Sequence, residues 1–269
     1  MSNTALRREL RAAGNGPGRR IALARRYATA LALMVVILVA LEVSLRVLAV
    51  PAYLLPPPSR VLARLLTPGD LPGHAAATAT AAAAGLVAGA LAGFGLAVAF
   101  VHLRLLEDAL YPWVLVSQAV PAAALAPLLT IWLGDGLAPR AAMAALFAFF
   151  PVLVATARGL RDVSPEQLAL MRAWGASRWR TFRHLRLPTA LPALFSGLKV
   201  AAALAVVGAI VSELAGSRRG LGFVVSVAAY HLQTDRIFAA VLIAAAISLG
   251  LHGLLVLAER YIVFWRRPG

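Results

Sequence analysis

Between Arg26 and Pro51 the chain reads YATALALMVVILVALEVSLRVLAV, broken only by one carboxylate, Glu42, and one guanidinium, Arg46. About 20 apolar residues in a helix cross the hydrocarbon core of a bilayer. Within that core each unpaired backbone N–H or C=O costs several kcal/mol, so such a block has few alternatives to a spanning helix. Five more blocks of this kind follow, giving candidate spans at 27–49, 75–101, 109–133, 138–160, 190–214 and 237–262. The composition agrees: 61% of the 269 residues are hydrophobic and 14% charged, with a mean hydropathy of +0.81. The expected fold is an all-α integral membrane protein with six transmembrane helices.

A formal net charge of +15 would suggest nucleic acid as the partner of a soluble chain. Beside membrane spans, arginine sets topology by staying in the cytoplasm, and this rule has first claim here. With six spans and cytoplasmic termini, 18 basic residues fall inside and 6 outside, while Arg46 and Lys199 lie within spans. The asymmetry predicts cytoplasmic termini and no nucleic-acid partner. Residues 1–26 hold seven arginines with Gly and Pro and no sustained apolar face, so they read as a mostly disordered basic arm. Residues 27–269 form the membrane domain, and the apolar run after Arg26 is too long for a cleaved signal and fits an anchor. With no cysteine, thiol nucleophiles, disulfides and Cys-ligated metals are excluded.

The connection after the first span, VPAYLLPPPSRVLARLLTPGDLPG, places Val61, Leu62, Leu65 and Leu66 opposite Arg60 and Arg64, as in a short interfacial helix. In the second span Gly85, Gly89 and Gly93 form a ladder of small residues suited to close helix packing in lipid.

The loop 161–189 is the longest cytoplasmic connection after the arm. It opens RDVSPEQLALMRAWG: Ser164 is placed as N-cap, Pro165 as first helical residue, and Gln167 completes a capping box. Gly175 ends or turns this helix. A second segment follows with Trp179, Phe182 and Leu185 on one side and Arg180, Arg183 and His184 on the other. Pro188 and Pro192 are expected to end it and begin the fifth span. Amphipathicity alone suits a helix lying in lipid headgroups.

The spacing adds a resemblance. Gly175, nine residues, then Leu185-Arg186-Leu187-Pro188 is similar to the cytoplasmic signature of ABC importer permeases. LPPPSRVLARL, PAAALAPLLTIWLGDGL, FFPVLVATARGLRDVSPEQL, SELAGSRRGLGFVV and LQTDRIFAAVLI extend the likeness from about residue 50 onward. The chain resembles the inner-membrane components of binding-protein-dependent importers, in the branch for sulfonates, taurine, nitrate and pyrimidine or flavin precursors. The resemblance implies a type I importer permease fold in a bacterial inner membrane, a second copy of the chain, an extracytoplasmic solute-binding protein and an ATPase dimer that holds Mg-ATP. It further implies that residues 161–189 dock on the ATPase, with Glu166, Ala169, Met171, Arg172, Trp174, Gly175, Arg178, Leu187 and Pro188 as contact or anchoring residues. The family's signature glutamate would fall at Ala169, followed here by Leu170 and Met171, so this dock relies on apolar contact and arginine more than on a carboxylate. Among the branch's substrates the likeness leans to pyrimidine-type precursors or riboflavin.

The chain supplies no energy source itself. A Walker A loop needs Gly-Lys-Ser or Gly-Lys-Thr, and the only lysine is Lys199 in GLKVAAA. No His-Glu-x-x-His or Gly-x-Ser-x-Gly occurs, so an enzyme has little to stand on, and no cofactor of its own is expected. The competing class is a membrane scaffold or sensor whose basic loop binds anionic lipid.

Polar groups inside spans are costly and are functional candidates by default. Glu42 and Arg46, at i and i+4, neutralise each other; Lys199 either snorkels or pairs. Ser117 and Gln118, one turn before Pro121, and Ser212 and Glu213, at the end of the fifth span, are the candidates for the substrate pathway.

Overall fold

The computed structural model describes residues 17–265, and all regular structure within them is helical. Five of the described helical runs are long and apolar enough to cross a membrane: 28–47, 71–102, 137–161, 178–214 and 234–262. Helix α1 (Pro17–Val47) leads through a short helix α2 (Pro58–Leu66) into α3 (Leu71–His102). Of the apolar face expected on α2, Val61 is buried and Leu65 half-buried, while Leu62 and Leu66 are exposed. Helix α1 starts about ten residues before the expected span, because RRIALARR consists of good helix formers and Pro17 opens the helix where its missing N–H costs nothing. Residues 17–26 are therefore helical rather than part of a disordered arm, and the rest of the arm lies outside the described residues.

The centre is a row of three helices: α3, α6 (Leu137–Arg161) and α9 (Leu187–Leu214), with α6 in the middle. Glycine sets both contacts. On α3, Gly85 lies on Ala141 and Ala144, Gly89 on Ala145 and Ala148, and Gly93 on Phe149, Val152 and Leu153, so the expected ladder packs on α6. A Cβ on Gly89 would sit 2.5 Å from the Ala145 carbonyl oxygen and 3.0 Å from the Ala148 Cβ. On the other side Gly208 meets Met143 and Ala144, Gly197 meets Pro151 and Ala155, and Gly159 of α6 meets Ala190 and Ala193 of α9. Close backbone approach is how helices gain dispersion energy where lipid offers no hydrophobic driving force.

These pairings give directions. Residue numbers rise together along α3 and α6, so the two are parallel, and they run in opposite senses along α6 and α9, so those are antiparallel. Two parallel neighbours require the chain between them to return to the starting end. It does so through α4 (Arg104–Ser117) and α5 (Ala122–Leu133). The stretch expected as one span at 109–133 is thus two helices. Helix α4 ends at Ser117, Gln118 to Val120 form a turn, and Pro121, with no N–H, takes an extended conformation at ψ 115° before α5 starts.

Beyond the row, α10 (Leu221–Tyr230) is a short apolar helix after α9, and α11 (Thr234–Ile262) runs back along α9. Lys199 pairs with Glu259 of α11, which resolves its alternatives in favour of an ion pair. The start of α3, the end of α9 and all of α10 share one end of the bundle with α2; the basic loop between α6 and α9 occupies the other.

Packing this tight makes a specific prediction. Gly89→Val should cost about 2 kcal/mol through overpacking, read as a lower melting midpoint of the detergent-purified chain. Gly95→Val on the same helix, where an added Cβ meets nothing within 4 Å, should leave the midpoint within a degree or two of the parent. Equal midpoints for the two variants would contradict the register.

Candidate coupling surface and the polar cluster at the opposite end

The basic loop folds as the local sequence dictates. Helix α7 (Pro165–Ala173) has the expected capping box: the Gln167 N–H donates to the Ser164 hydroxyl, and the Ser164 N–H donates to the Gln167 side-chain oxygen, both at 3.3 Å. Glu166 sits in its first turn, where its own backbone N–H and Ser164 hold the carboxyl below the ordinary glutamate range. Its charge is committed to the helix start. At the other end Gly175 has φ +64°, its N–H donates to the Arg172 carbonyl at 2.9 Å, and the Ala176 N–H donates to the Met171 carbonyl at 3.0 Å. This is the paired closure of a Schellman motif, which wants a residue without Cβ at the left-handed position. A Cβ on Gly175 would meet nothing within 4 Å, so the glycine answers to backbone conformation and not to crowding within the chain.

Helix α8 (Arg178–Thr181) is capped by Ser177, whose hydroxyl accepts from the Arg180 N–H. Here the expectation about proline needs correcting. Pro188 and Pro192 do not separate this segment from the fifth span. Residues Phe182–Arg186 form a π-helical turn in which the Leu187 N–H donates to the Phe182 carbonyl, five residues back, and Pro188 follows in the first turn of α9. The wider turn leaves no partner waiting for the N–H that Pro188 lacks. The helical run from Arg178 to Leu214 is continuous, so Leu187 and Pro188 join the loop to the span without a hinge.

Phe182 is buried with Leu160 and Ala190, and Leu185 is half-buried. Trp179, expected on the same covered side, stacks on Phe182 at 5.7 Å but remains 66% exposed. Helix α7 has no buried residue, and Ala169, Leu170, Arg172, Trp174 and Arg178 all face outward, Trp174 at 76% exposure. Of the predicted contact residues only Met171, Leu187 and Pro188 are half-buried. The result is a firmly held surface of apolar and cationic groups with no cover from the other described residues.

At the opposite end a polar cluster is sealed inside. Glu213 has 1% of its surface exposed. The Thr78 hydroxyl of α3 lies 2.9 Å from both of its carboxyl oxygens, the Gly222 N–H donates to Oε2 at 2.9 Å, and Arg140 of α6 stands 4.0 Å from Oε1. The Leu221 N–H donates to Thr78 Oγ1 at 2.8 Å, and the Gly220 N–H donates to His74 Nδ1 at 3.1 Å. Three consecutive N–H groups at the start of α10 are thereby taken by side chains of α3 and α9. They are the orphan donors of a helix start, which find no water inside a bundle. Gly220 has φ +112°, and a Cβ there would run into the Glu213 carboxyl.

The cluster extends outward. Because His74 Nδ1 accepts, its Nε2 carries the proton and faces Asp70 at 3.4 Å, and Asp70 binds Arg236 of α11 at 2.6 Å. Burial would raise the Asp70 carboxyl, but Arg236 and His74 outweigh it and hold it below the ordinary aspartate range. This link is complete above the unfolded aspartate value and weakens as pH falls through the lowered one. The first span repeats the device: Glu42 binds Arg46 as expected, and also accepts from the Ser59 N–H (3.0 Å) and hydroxyl (2.7 Å) in the first turn of α2.

The four pathway candidates are not brought together. Ser117 and Gln118 are exposed at the break between α4 and α5, whereas Ser212 and Glu213 lie in the packed wall, and the Ser212 hydroxyl has no hydrogen-bond partner among the described residues. An open cleft of about 840 Å³ lies elsewhere, between α6 and α9 near the basic loop, edged by Arg158, Thr189 and Ser196. Sequence reasoning missed His74, Thr78 and Arg140; Thr78 stands seven residues before Gly85, on the ladder's own face, which was the available signal. Among the described residues no three His, Asp or Glu side chains are grouped to hold a metal ion.

Removing the central carboxyl tests the cluster. Glu213→Ala should destabilise the chain by about 3 kcal/mol, because the N–H of Gly222 and Arg140 lose a buried partner. Glu213→Gln, which keeps an acceptor, should lose less. Thermal unfolding in detergent measures both, and an unchanged Ala midpoint would show the cluster to be dispensable.

Comparison with known proteins follows the same outline. Residues 85–264 match the family of binding-protein-dependent transport system inner membrane components. The riboflavin transport system permease protein of Chloroflexus aurantiacus is 37% identical over 218 residues, 80% of this chain and 81% of that one. The formylaminopyrimidine transport permease protein of Halalkalibacterium halodurans is 29% identical over 228 residues, 84% and 91% of the two chains. The taurine transport system permease protein of Escherichia coli is 29% identical over 219 residues, 78% and 80%.

Proposed function

The chain belongs to the family of binding-protein-dependent transport system inner membrane components, and we propose that it carries riboflavin or a pyrimidine-type precursor into the cytoplasm. That it is an ABC transporter permease subunit for a small solute, multi-pass in the bacterial inner membrane and not itself an enzyme, follows from the family and its relatives. Riboflavin rests on the 37% identity to the riboflavin permease against 29% for the taurine permease, and the pyrimidine-type precursor on the fuller coverage of its 29% identical permease, 84% and 91% of the two chains; aliphatic sulfonates, taurine and nitrate are the alternatives. The working importer is read as two copies of this chain, an ATPase dimer that binds Mg-ATP, and an extracytoplasmic solute-binding protein.

The observation that carries the mechanism is the uncovered surface of α7 and α8, joined without a break to α9. In this reading the basic end faces the cytoplasm by the charge rule, and an ATPase cleft receives Leu170, Trp174 and Trp179 with Arg172 and Arg178. Closure of the ATPase dimer on nucleotide displaces α7, and the continuous run from Arg178 passes that displacement into α9. There Gly197 and Gly208 bear directly on α6, so α9 and α6 move as a packed pair and alternate the side of access. The signature carboxylate is absent at Ala169, and Glu166 is committed to its own helix start; apolar contact and arginine carry the dock.

Two experiments test this. Gly175→Asp should abolish ATPase co-purification and uptake while leaving membrane insertion intact, whereas Gly175→Asn, which also tolerates positive φ, should retain more of both; normal recruitment by the Asp variant would remove the loop from the interface. For the route, Ser117 and Gln118 remain the exposed candidates. Gln118→Ala at equal expression should reduce uptake of labelled riboflavin several-fold, and uptake of taurine in place of riboflavin by the parent importer would overturn the substrate.

A further inference from the structure

Where the end of α3 meets the basic loop, a cleft of about 540 Å³ is lined by Val101, His102, Arg104, Arg172, Arg178 and Arg186, among others, and by no carboxylate. Four guanidinium groups around one opening repel each other unless an anion is present. Arg104, Arg178 and Arg186 have no ion-pair partner among the described residues. Two of the neighbouring acids are already committed. Glu107 at the start of α4 is bound by Arg161, and Glu166 is held by its own helix start.

The position of the cleft says what kind of anion suits it. Val101 and His102 are the last residues of a spanning helix, and Arg186 immediately precedes the helix that crosses back. The opening therefore lies at the level where hydrocarbon gives way to headgroups. Basic pockets between spanning helices on the cytoplasmic side take phospholipid headgroups, and the guanidinium fork matches phosphate oxygens in pairs. Val101 and Leu168 give the same cleft an apolar wall. We propose that this cleft is a binding site for the phosphate of one anionic phospholipid, held by Arg104 and Arg186 at the membrane ends of α3, α4 and α9, with Arg172 and Arg178 left to the ATPase side of the loop.

A lipid held there fixes the end of the loop at Arg186 against the span ends, in addition to the buried Phe182, whose ring meets His102 edge-on at 5.4 Å. The dock would thus sense headgroup charge.

The test uses the full chain alone, purified in mild detergent, with palmitoyl-oleoyl phosphatidylglycerol or the phosphatidylcholine of the same acyl chains added, and bound lipid counted by native mass spectrometry. One phosphatidylglycerol per chain should survive washing, and phosphatidylcholine should not. Arg104→Gln with Arg186→Gln should weaken retention about 25-fold, near fivefold for each arginine lost beside an anionic headgroup. Arg104→Lys with Arg186→Lys should restore most of it, which separates charge from misfolding. The pair Arg218→Gln with Arg219→Gln, at the opposite end, should retain lipid as the parent does. Equal retention by the Arg104 and Arg186 glutamine pair overturns the site. Displacement by millimolar inorganic phosphate reassigns the cleft to a soluble anion, and displacement by the ATPase subunit reassigns it to a protein carboxylate; either result overturns the lipid proposal.

Discussion

Within a bilayer every backbone N–H must find its partner in the protein, and this chain has short helices whose starts lie against the spans rather than in bulk water. The solution is the same twice. A glutamate from a spanning helix reaches the free N–H groups at the start of a short one: Glu42 serves α2 through Ser59, and Glu213 serves α10 through Gly222. In both places an arginine, Arg46 or Arg140, stands beside the carboxyl and offsets its charge. Without these arrangements the loops at that end would carry unsatisfied donors into an apolar setting, at about 1 to 3 kcal/mol each. The row of α3, α6 and α9 depends on the second one, since Glu213, Thr78 and Arg140 come one from each helix of the row.

That division of labour explains why the bundle can be firm at one end and receptive at the other. At the end opposite the basic loop Glu213 is sealed, and its cluster leads through His74 to the more exposed Asp70–Arg236 link. At the basic end most arginines lie open, and large apolar side chains such as Trp174 face outward. Buried polar pairing is thus concentrated away from the open α7 and α8 surface.

Much of this is legible in the order of residues alone. Features carried by neighbouring residues came through: the capping box of Ser164 and Gln167, the glycine closure at Gly175, the ladder at Gly85, Gly89 and Gly93, and the Glu42–Arg46 pair each depend on spacing within one or two turns. What spacing did not reveal has the opposite character. Glu213 reads as a pathway candidate because a lone acid in a span is costly, while its partners sit 135 residues earlier on α3 and 73 residues earlier on α6, beyond any local pattern. Pro121 breaks a helix that hydropathy joins, because hydropathy measures side chains and not missing N–H groups. Pro188 does the reverse, read as a stop but accommodated by a wider turn.

That turn has a geometric consequence of its own. One residue more per hydrogen-bonded ring than in the α form means that Phe182–Arg186 holds an inserted position, and one residue amounts to about 100° of rotation around a helix axis. The side chains of Arg178 to Thr181 are therefore turned by roughly that angle from where an unbroken α-helix would aim them relative to Ala190, Gly197 and Gly208. The segment sets a phase: one residue more or fewer within it would turn Arg178 to Thr181 by about that angle while the glycine contacts inside the membrane keep their register.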